Sequence, residues 1–266
     1  MRYTENRPRP PPNRNHSMPI HYLAKLTSPK RTPQANLHLG VTLAGVAGAL
    51  NAGGFLAVGR YTSHMTGILS TAADDLILGK LVPALAALFL LLAFSWGAAC
   101  TALMVNYAKR SGMRYIYTPV LLLEALLLLL FGLVGTELQE HAVITVSFTA
   151  VLLCYVMGLQ NALVTKLSHA EIRTTHVTGL VTDIGIEMGK LIYWNRDRRQ
   201  PQDAEVLANR RKLRVHILLV CAFFIGGVAG AAGFKHLGFI SSVPLALALV
   251  LLSLAPNLKG ASNHLR

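Results

Sequence analysis

Three long stretches of the chain contain no charged residue, and this feature constrains the fold more than any other. Residues 81–108, 142–165 and 236–258 lack Asp, Glu, Lys and Arg altogether. A helix needs about 20 apolar residues to cross the hydrocarbon core of a bilayer, and each stretch reaches that length. Hydrophobic residues make up 53% of the 266 and charged residues only 14%. The sequence therefore predicts an all-α, multi-span membrane protein with the lipid bilayer as its main partner.

Six apolar segments are predicted to be full transmembrane helices, and two shorter, more polar ones to be half-helices. The first 36 residues, rich in Pro, Arg and Asn, are predicted to form a disordered basic cytoplasmic tail. A membrane domain would follow over 37–258, and 259–266 would be a cytoplasmic C-terminal tail. The predicted spans are about 38–59, 82–108, 116–135, 142–165, 215–234 and 239–255, and the half-helices about 66–80 and 178–193.

The distribution of basic residues predicts how these segments cross the membrane. If both half-helices re-enter the bilayer without crossing it, 22 of the 25 Lys and Arg residues lie on the cytoplasmic side. If both cross, the number falls to 18. The positive-inside rule favours the first arrangement, with both termini in the cytoplasm. The same loops account for the formal charge of +13, so no nucleic-acid partner is predicted.

A polar, glycine-containing motif occurs twice in the chain. Thr62–Ile68 reads TSHMTGI, and 112 residues later Thr174–Leu180 reads TTHVTGL. Asn51 and Asn161 precede the two copies at matched positions. We therefore predict an internal repeat, about 38–135 and 142–255. With three spans in each half, the second half would be inverted, which is how many secondary transporters are built.

Each copy of the motif has a Thr-Gly step at the start of a half-helix. The first backbone N–H groups of a helix have no partner within it, and that end is partly positive. Thr66 and Thr178 are predicted to cap these groups, while Gly67 and Gly179 allow a ligand or another backbone to approach. Such a site suits an anionic or carboxylate-bearing solute. The alternative is that the Thr-Gly steps only permit tight packing of a re-entrant hairpin.

Matched polar residues of an inverted repeat can converge on one central site. This hypothesis predicts that side-chain atoms of His64 and His176 approach within about 15 Å, the rise of about ten helical residues. The alternative is that the two motifs lie at opposite membrane faces, as two gates or two folding elements. The predicted substrate-binding residues are Asn51, His64, Thr66, Gly67, Asn161, His176, Thr178 and Gly179.

Four carboxylates are predicted to couple transport to an ion or a proton, because an acidic side chain in the hydrocarbon region is costly and usually functional. Asp75 ends an i, i+4 pair on the first half-helix, and Asp183 and Glu187 form the matched pair on the second. Glu187 has an alternative role in an ion pair with Lys190. Glu124 lies alone in an apolar segment, where it either meets Arg173 or extends to the interface.

No catalytic motif is present, and neither a cofactor nor a metal site is predicted. The chain lacks the nucleotide-binding, GxSxG and HExxH patterns, and its three cysteines lie in apolar segments without ligand spacing. The most favoured function is secondary transport of a small solute, an anionic one included, or an ion, by alternating access. The alternatives are an ion channel and a membrane binding or scaffold protein that does not transport. The oligomeric state is left open, with a homodimer among the options.

Four segments resemble the YoaK family of bacterial membrane proteins, which is defined by a domain of unknown function. They are Asn51–Phe55, Met65–Gly67, Gly158–Ala162 and Arg173–Gly179. The resemblance covers about 36–256 and implies a multi-pass protein of the bacterial inner membrane, without implying any chemistry. Members of the family commonly carry Asp where this chain has Asn51, and Asn where it has Ile68.

Overall fold

The structure, a computed structural model, is helical throughout the residues it describes, which are 33–59, 61–113, 115–136, 142–167, 177–193 and 206–264. The predicted all-α class is confirmed for these residues. A short 3-10 segment, Gly238–Ser241, joins the last two helices. The helices are α1 Pro33–Val58, α2 Met65–Ile77, α3 Leu81–Arg110, α4 Thr118–Thr136, α5 Ala142–Leu167, α6 Val177–Ile192, α7 Arg210–Leu237 and α8 Ser242–His264.

Several of these helices are long and apolar enough to cross a bilayer. Four such stretches occur among the described residues: Leu37–Leu56, Leu81–Arg110, Phe148–Lys166 and Arg210–Leu254. Thr118–Leu133, within the predicted third span, is a shorter apolar helix. The predicted fifth and sixth spans both fall in the last stretch. Length and composition thus support a helical membrane protein with several spans. The predicted N-terminal tail lies almost wholly outside the described residues.

Inter-helix contacts define the direction of each helix. Gly54 of α1 lies against Leu153 of α5, while Gln160 of α5 bonds to Leu43 of α1, so α1 and α5 are antiparallel. The Tyr117 hydroxyl at the start of α4 donates to a carbonyl oxygen near the end of α5, so these two helices are also antiparallel. Consequently α1 and α4 run in one direction and α5 in the other.

The chain reverses direction between α7 and α8. Gly53 of α1 lies against Phe234 of α7, and Gly226 lies eight residues before Phe234 against Gly45, so α1 and α7 are parallel. Helix α8 is antiparallel to α4, because its residues Ser242 and Ser253 meet the end and the start of α4 respectively. Gly238 at the reversal has a φ of +62°, a conformation that glycine adopts without a steric penalty.

Glycines bring two helix pairs into backbone contact. In the α1–α7 pair, a methyl group at Gly48 would collide with the carbonyl oxygen of Phe223. In the α3–α5 pair, a methyl group at Gly97 or at Gly158 would likewise collide with a carbonyl oxygen of the other helix. Within a bilayer, where lipid removes the hydrophobic drive for helix association, such close packing is a main source of stability.

The core lies between α1, α4 and α5, while α3 and α7 form much of the outer surface. Trp96 of α3 is 68% exposed and Phe224 of α7 is 70% exposed. Many other large apolar side chains of these two helices are also exposed. Such a surface would be unfavourable in water, whereas it suits contact with lipid tails.

Candidate functional site

The first motif is attached to α1 through Asn51. The backbone N–H and the hydroxyl of Ser63 both donate to Oδ1 of Asn51, at 3.3 and 2.7 Å. Asn51 lies seven residues before the end of α1, which corresponds to about 10 Å along the helix. The chain therefore turns back alongside α1 before α2 begins, and Asn51 holds this turn.

Helix α2 begins at Met65, with His64 as its N-cap residue and no side chain capping it. The prediction that Thr66 caps this helix is wrong, because Thr66 lies inside the first turn with an exposed side chain. Gly67 does permit a close approach, as predicted, but the approaching group is the imidazole ring of His64. The motif thus folds onto itself, and a side chain at Gly67 would displace the histidine.

Thr62, the first residue of the motif, points into the protein. It is buried, and its hydroxyl has no hydrogen-bond partner among the described residues. On the following helix, Ile68 and Ala72 pack in a small apolar cluster with residues of α3 and with Cys154 of α5. One face of the start of α2 is therefore packed against α3 and α5.

The second motif is described only from its end. His176 lies outside the described residues, so its predicted approach to His64 stays a prediction. Thr178 is the second residue of α6 and is exposed, which makes the predicted capping role wrong for this copy as well. No described residue lies within 4 Å of the place that a methyl group at Gly179 would occupy. His176, which corresponds to the histidine packed on Gly67, is not among the described residues.

Glu187 of α6 joins that helix to the start of α7. One carboxylate oxygen accepts from Lys190 at 2.9 Å, and the other accepts from the backbone N–H of Asn209 at 2.6 Å. The hydrogen bond from Lys190, followed by that from Asn209, lowers the pKa of Glu187 from its ordinary value of 4.5. The alternative prediction of an ion pair with Lys190 is confirmed, so this carboxylate has a structural role.

Asp183 lies one turn earlier on α6 and also faces α7. Its Oδ2 is 3.3 Å from the Lys212 ammonium and 3.7 Å from Nδ1 of His216. The predicted coupling role of Asp183 is untested, but these contacts show a second attachment of α6 to α7. Asp75, which corresponds to Glu187 in the predicted repeat, lies on α2 with a partly buried side chain.

Asn161 lies on α5, next to the packing face used by Gly158. Its side chain is buried, and its backbone carbonyl oxygen accepts a hydrogen bond from the hydroxyl of Thr165. The structure thus distributes the predicted substrate-binding residues over α1, α2, α5 and α6. It brings Asn51 to the first motif, and it shows α2 packed on α3 but α6 packed on α7.

Glu124 of α4 is the most deeply buried carboxylate among the described residues. Its side chain is 0% exposed, and neither oxygen has a hydrogen-bond partner in the described part of the chain. It lies on the core face of α4 between Leu121 and Leu128, which are also buried. The predicted alternative in which Glu124 extends to the interface is therefore wrong. Arg173, with which Glu124 was alternatively predicted to pair, lies outside the described residues.

Gln160 of α5 is a second buried polar residue, and the sequence analysis did not single it out. It is 0% exposed, and its Nε2 donates to the carbonyl oxygen of Leu43 at 3.3 Å. Because a carbonyl accepts only, the amide must present its NH₂ group there, which leaves Oε1 without a described partner. One signal was available: Leu50 occupies the matched position in the first copy, so the second copy has gained a polar side chain.

Glu124 and Gln160 lie at the same level of the bundle. The hydrogen bond between Tyr117 of α4 and the carbonyl oxygen of Lys166 of α5 sets the register of these antiparallel helices. Glu124 is seven residues from Tyr117 and Gln160 is six residues from Lys166, which correspond to about 10 and 9 Å along the two helices. The core thus contains one carboxyl group and one amide oxygen at matching depth.

No group of three or more His, Cys, Asp or Glu residues able to hold a metal ion occurs in the described ranges. Comparison with known proteins gives one family: the model described as "Protein of unknown function (DUF1275)" matches residues 39–255. No curated protein and no solved structure matches the chain. The match agrees with the expected membership of an uncharacterised family, although it does not test the YoaK name. The chain belongs to the DUF1275 family.

Proposed function

We propose that this DUF1275 protein is a secondary transporter of a small solute or an ion, working by alternating access in the bacterial inner membrane. The observation that carries the proposal is the environment of Glu124, a fully buried carboxyl group without a described partner. An acidic side chain in the interior of a membrane bundle is costly and serves, in most known cases, an ion or proton pathway. A protein that only anchored other components would gain nothing from that cost.

The proposed architecture has six spans, two re-entrant half-helices and an inverted repeat of 38–135 and 142–255, with both termini in the cytoplasm. Matched glycine contacts support the repeat. Gly48 and Gly158, which are 110 residues apart, each lie against the backbone of a neighbouring helix. Gly97 and Gly230, which open the two matching Gly-Ala-Ala segments, provide the reciprocal contacts in the same two helix pairs.

The half-helices are proposed to act as two gates, one on each side of the membrane. In support, α2 packs on α3, whereas α6 is fastened to α7 by the contacts of Asp183 and Glu187. A gate must open at low cost, and the half-exposed ion pair of Asp183 and Lys212 contributes only about 0–1 kcal/mol. The predicted binding residues His64 and His176 would then belong to separate steps of the cycle.

An ion channel and a scaffold protein are the competing functions. A channel would conduct without saturation, whereas a transporter saturates and exchanges its substrate across the membrane. Enzymatic activity is not proposed, since the sequence provides no matched nucleophile and base. Nor is a nucleic-acid partner proposed.

The test is a ligand screen followed by flux measurements on the full chain. Purified protein would first be screened by thermal shift with small anions, organic acids, amines and inorganic ions. A ligand at 100 times its Kd stabilises a protein by about 2.7 kcal/mol, which gives a visible shift. Hits would then be tested for saturable uptake into proteoliposomes, with Glu124→Gln as the matched variant. Uptake by neither protein, or conduction without saturation, would refute the proposal.

A further inference from the structure

We propose that Glu124 and Gln160 form a proton-binding site, in which the carboxyl group is protonated and Gln160 supplies a neutral acceptor at the same depth. This deepens the proposed function, because it names the proton as the coupling ion. Three side-chain oxygens define the site: both carboxyl oxygens of Glu124 and Oε1 of Gln160. All three are buried and lack a hydrogen-bond partner among the described residues.

The chemistry of these atoms determines what the site can bind. Oxygen atoms that only accept require a ligand with a positive charge or with hydrogen-bond donors. An anion would be repelled by the ionised carboxylate. Protonation neutralises the carboxylate: one O–H bond of a hydronium ion breaks, one O–H bond forms on the carboxyl group, and a water molecule is released. The carboxyl group then has a hydrogen-bond donor. The remaining amide oxygen is the kind of acceptor that such a donor needs.

The 3-10 segment and the helices α3, α5 and α8, which contact α4, bring no positive charge to the level of Glu124 in the described part of the chain. Helix α8 and the 3-10 segment carry no titratable side chain up to Leu254. The basic residues of α3, Lys109 and Arg110, lie at its end with exposed side chains. Tyr117, the residue before α4, donates its hydroxyl to the Lys166 carbonyl oxygen. It lies about 10 Å from Glu124 along the helix axis.

The remaining titratable groups on α3 and α5 also lie away from Glu124. Tyr155 lies where the backbone of α5 packs against Gly97 of α3. Cys154 belongs to the separate apolar cluster with α2, and Tyr107 is exposed. Lys166 is half-exposed and six residues from Gln160. Without a counter-charge, an ionised carboxylate in this core would cost several kcal/mol, so the neutral form is favoured.

Infrared difference spectroscopy on the purified full chain in lipid nanodiscs tests this proposal directly. At neutral pH, the difference between wild type and Glu124→Gln should contain the C=O band of a protonated carboxyl group, with its shift in D₂O. The control is Glu187→Gln, which removes a carboxylate already paired with Lys190. Its difference spectrum against wild type should lack that band. Folding of each variant is checked by circular dichroism.

Gln160→Met examines the second member of the site. The substitution keeps the length of the side chain but removes the acceptor oxygen, so the carboxyl band of Glu124 should move to higher wavenumber. An unmoved band would show that Gln160 takes no part. If the difference between wild type and Glu124→Gln contains no carboxyl band, Glu124 is ionised in wild type. That result would overturn the proposal.

A metal-cation occupant is distinguished in the same preparation. If replacing choline chloride by sodium or potassium chloride stabilises wild type but not Glu124→Gln, and the carboxyl band is absent, the site holds a metal cation and the proton proposal is wrong. These measurements need no transport assay. A carboxyl band without any transported solute would refute the proposed function alone, whereas saturable transport with an ionised Glu124 would refute only the proton site.

Discussion

Substitution of Gly48 by alanine tests whether backbone contact between α1 and α7 holds the membrane domain together. A Cβ atom at this position would lie 2.8 Å from the carbonyl carbon of Phe223 and 3.0 Å from the backbone nitrogen of Gly227. Both atoms belong to the backbone of α7, which cannot rotate away as a side chain can. The two helices must therefore move apart. A gap of 0.5–1 Å already removes about a quarter to a half of the van der Waals energy of each contact.

The expected magnitude follows from two opposing terms. Overpacking of this kind costs about 1–3 kcal/mol. Alanine is favoured over glycine within a helix by about 1 kcal/mol, which offsets part of that cost. Gly45→Ala provides the matched control one turn earlier, because a Cβ there would lie 3.7 Å from the nearest atom, an ordinary contact. The stability difference between the two variants isolates the steric term and should be about 1–3 kcal/mol, with Gly48→Ala the less stable.

Reversible unfolding in mixed detergent micelles would measure both variants against wild type. The same comparison applies to the α3–α5 pair, with Gly158→Ala as the test and Gly185→Ala as a control, since no described residue lies within 4 Å of a methyl group at Gly185. Equal stabilities of Gly48→Ala and Gly45→Ala would refute the inferred backbone contact. If Gly48→Ala lowers the stability and Gly158→Ala does not, the two helix pairs are not equivalent.

Three further predictions concern the hairpin, the α6–α7 attachment and the topology. Asn51→Ala should cost about 1–3 kcal/mol because it removes the acceptor of two hydrogen bonds, whereas Ser63→Ala, which removes only one, should cost about half as much; equal unfolding midpoints would contradict this. The pKa of Glu187 is lowered in the folded state, so its stabilising effect should be present at neutral pH and lost as the pH falls below about 4.5; a stability difference between wild type and Glu187→Gln that does not change on acidification would contradict it. Single cysteines introduced at Glu137 and Gln200 of a cysteine-free variant should react with an impermeant thiol reagent from opposite sides of the membrane, and labelling from the same side would rule out the six-span topology.

Helix positions were predictable from the sequence because membrane helices are marked by long apolar segments. The predicted span of 82–108 and the observed helix Leu81–Arg110 differ by only one residue at the start and two at the end. The shortness of α2 and α6 was also predictable, and at 13 and 16 residues both fall below the roughly 20 residues that a helix needs to cross the hydrocarbon core. What the pattern left open was the number of crossings, because a half-helix and a span differ in the path of the chain rather than in composition.

Local roles within the site were less predictable. Thr66 was expected to cap α2, yet the helix begins one residue before it, because the attachment of Ser63 to Asn51 sets where the turn ends. Gly67 and Gly179 look equivalent in the sequence, but among the described residues a side chain is packed only on Gly67. Ser63 is attached to Asn51, which lies outside the motif, so the repeated motif does not encode this attachment. Gln160 was overlooked because its neighbour in the sequence, rather than the residue itself, belongs to the repeat.

The glycine contacts occur in both halves of the proposed repeat, whereas the buried carboxyl group of Glu124 occurs in one half. This difference bears on how the proposed transporter would work. The matching Thr118-Pro119 and Val243-Pro244 segments put Glu124 opposite Leu249 in the proposed repeat. Leu249 is completely buried on α8, the helix that packs against α4. The glycine contacts that allow helices to pack are thus present in both halves, whereas the carboxyl group is present in one. A symmetric pair of carboxylates would place two like charges in a single core and raise the cost of ionising either. One carboxyl group avoids that repulsion, and under the proposed function Glu124 would carry one proton in each transport cycle.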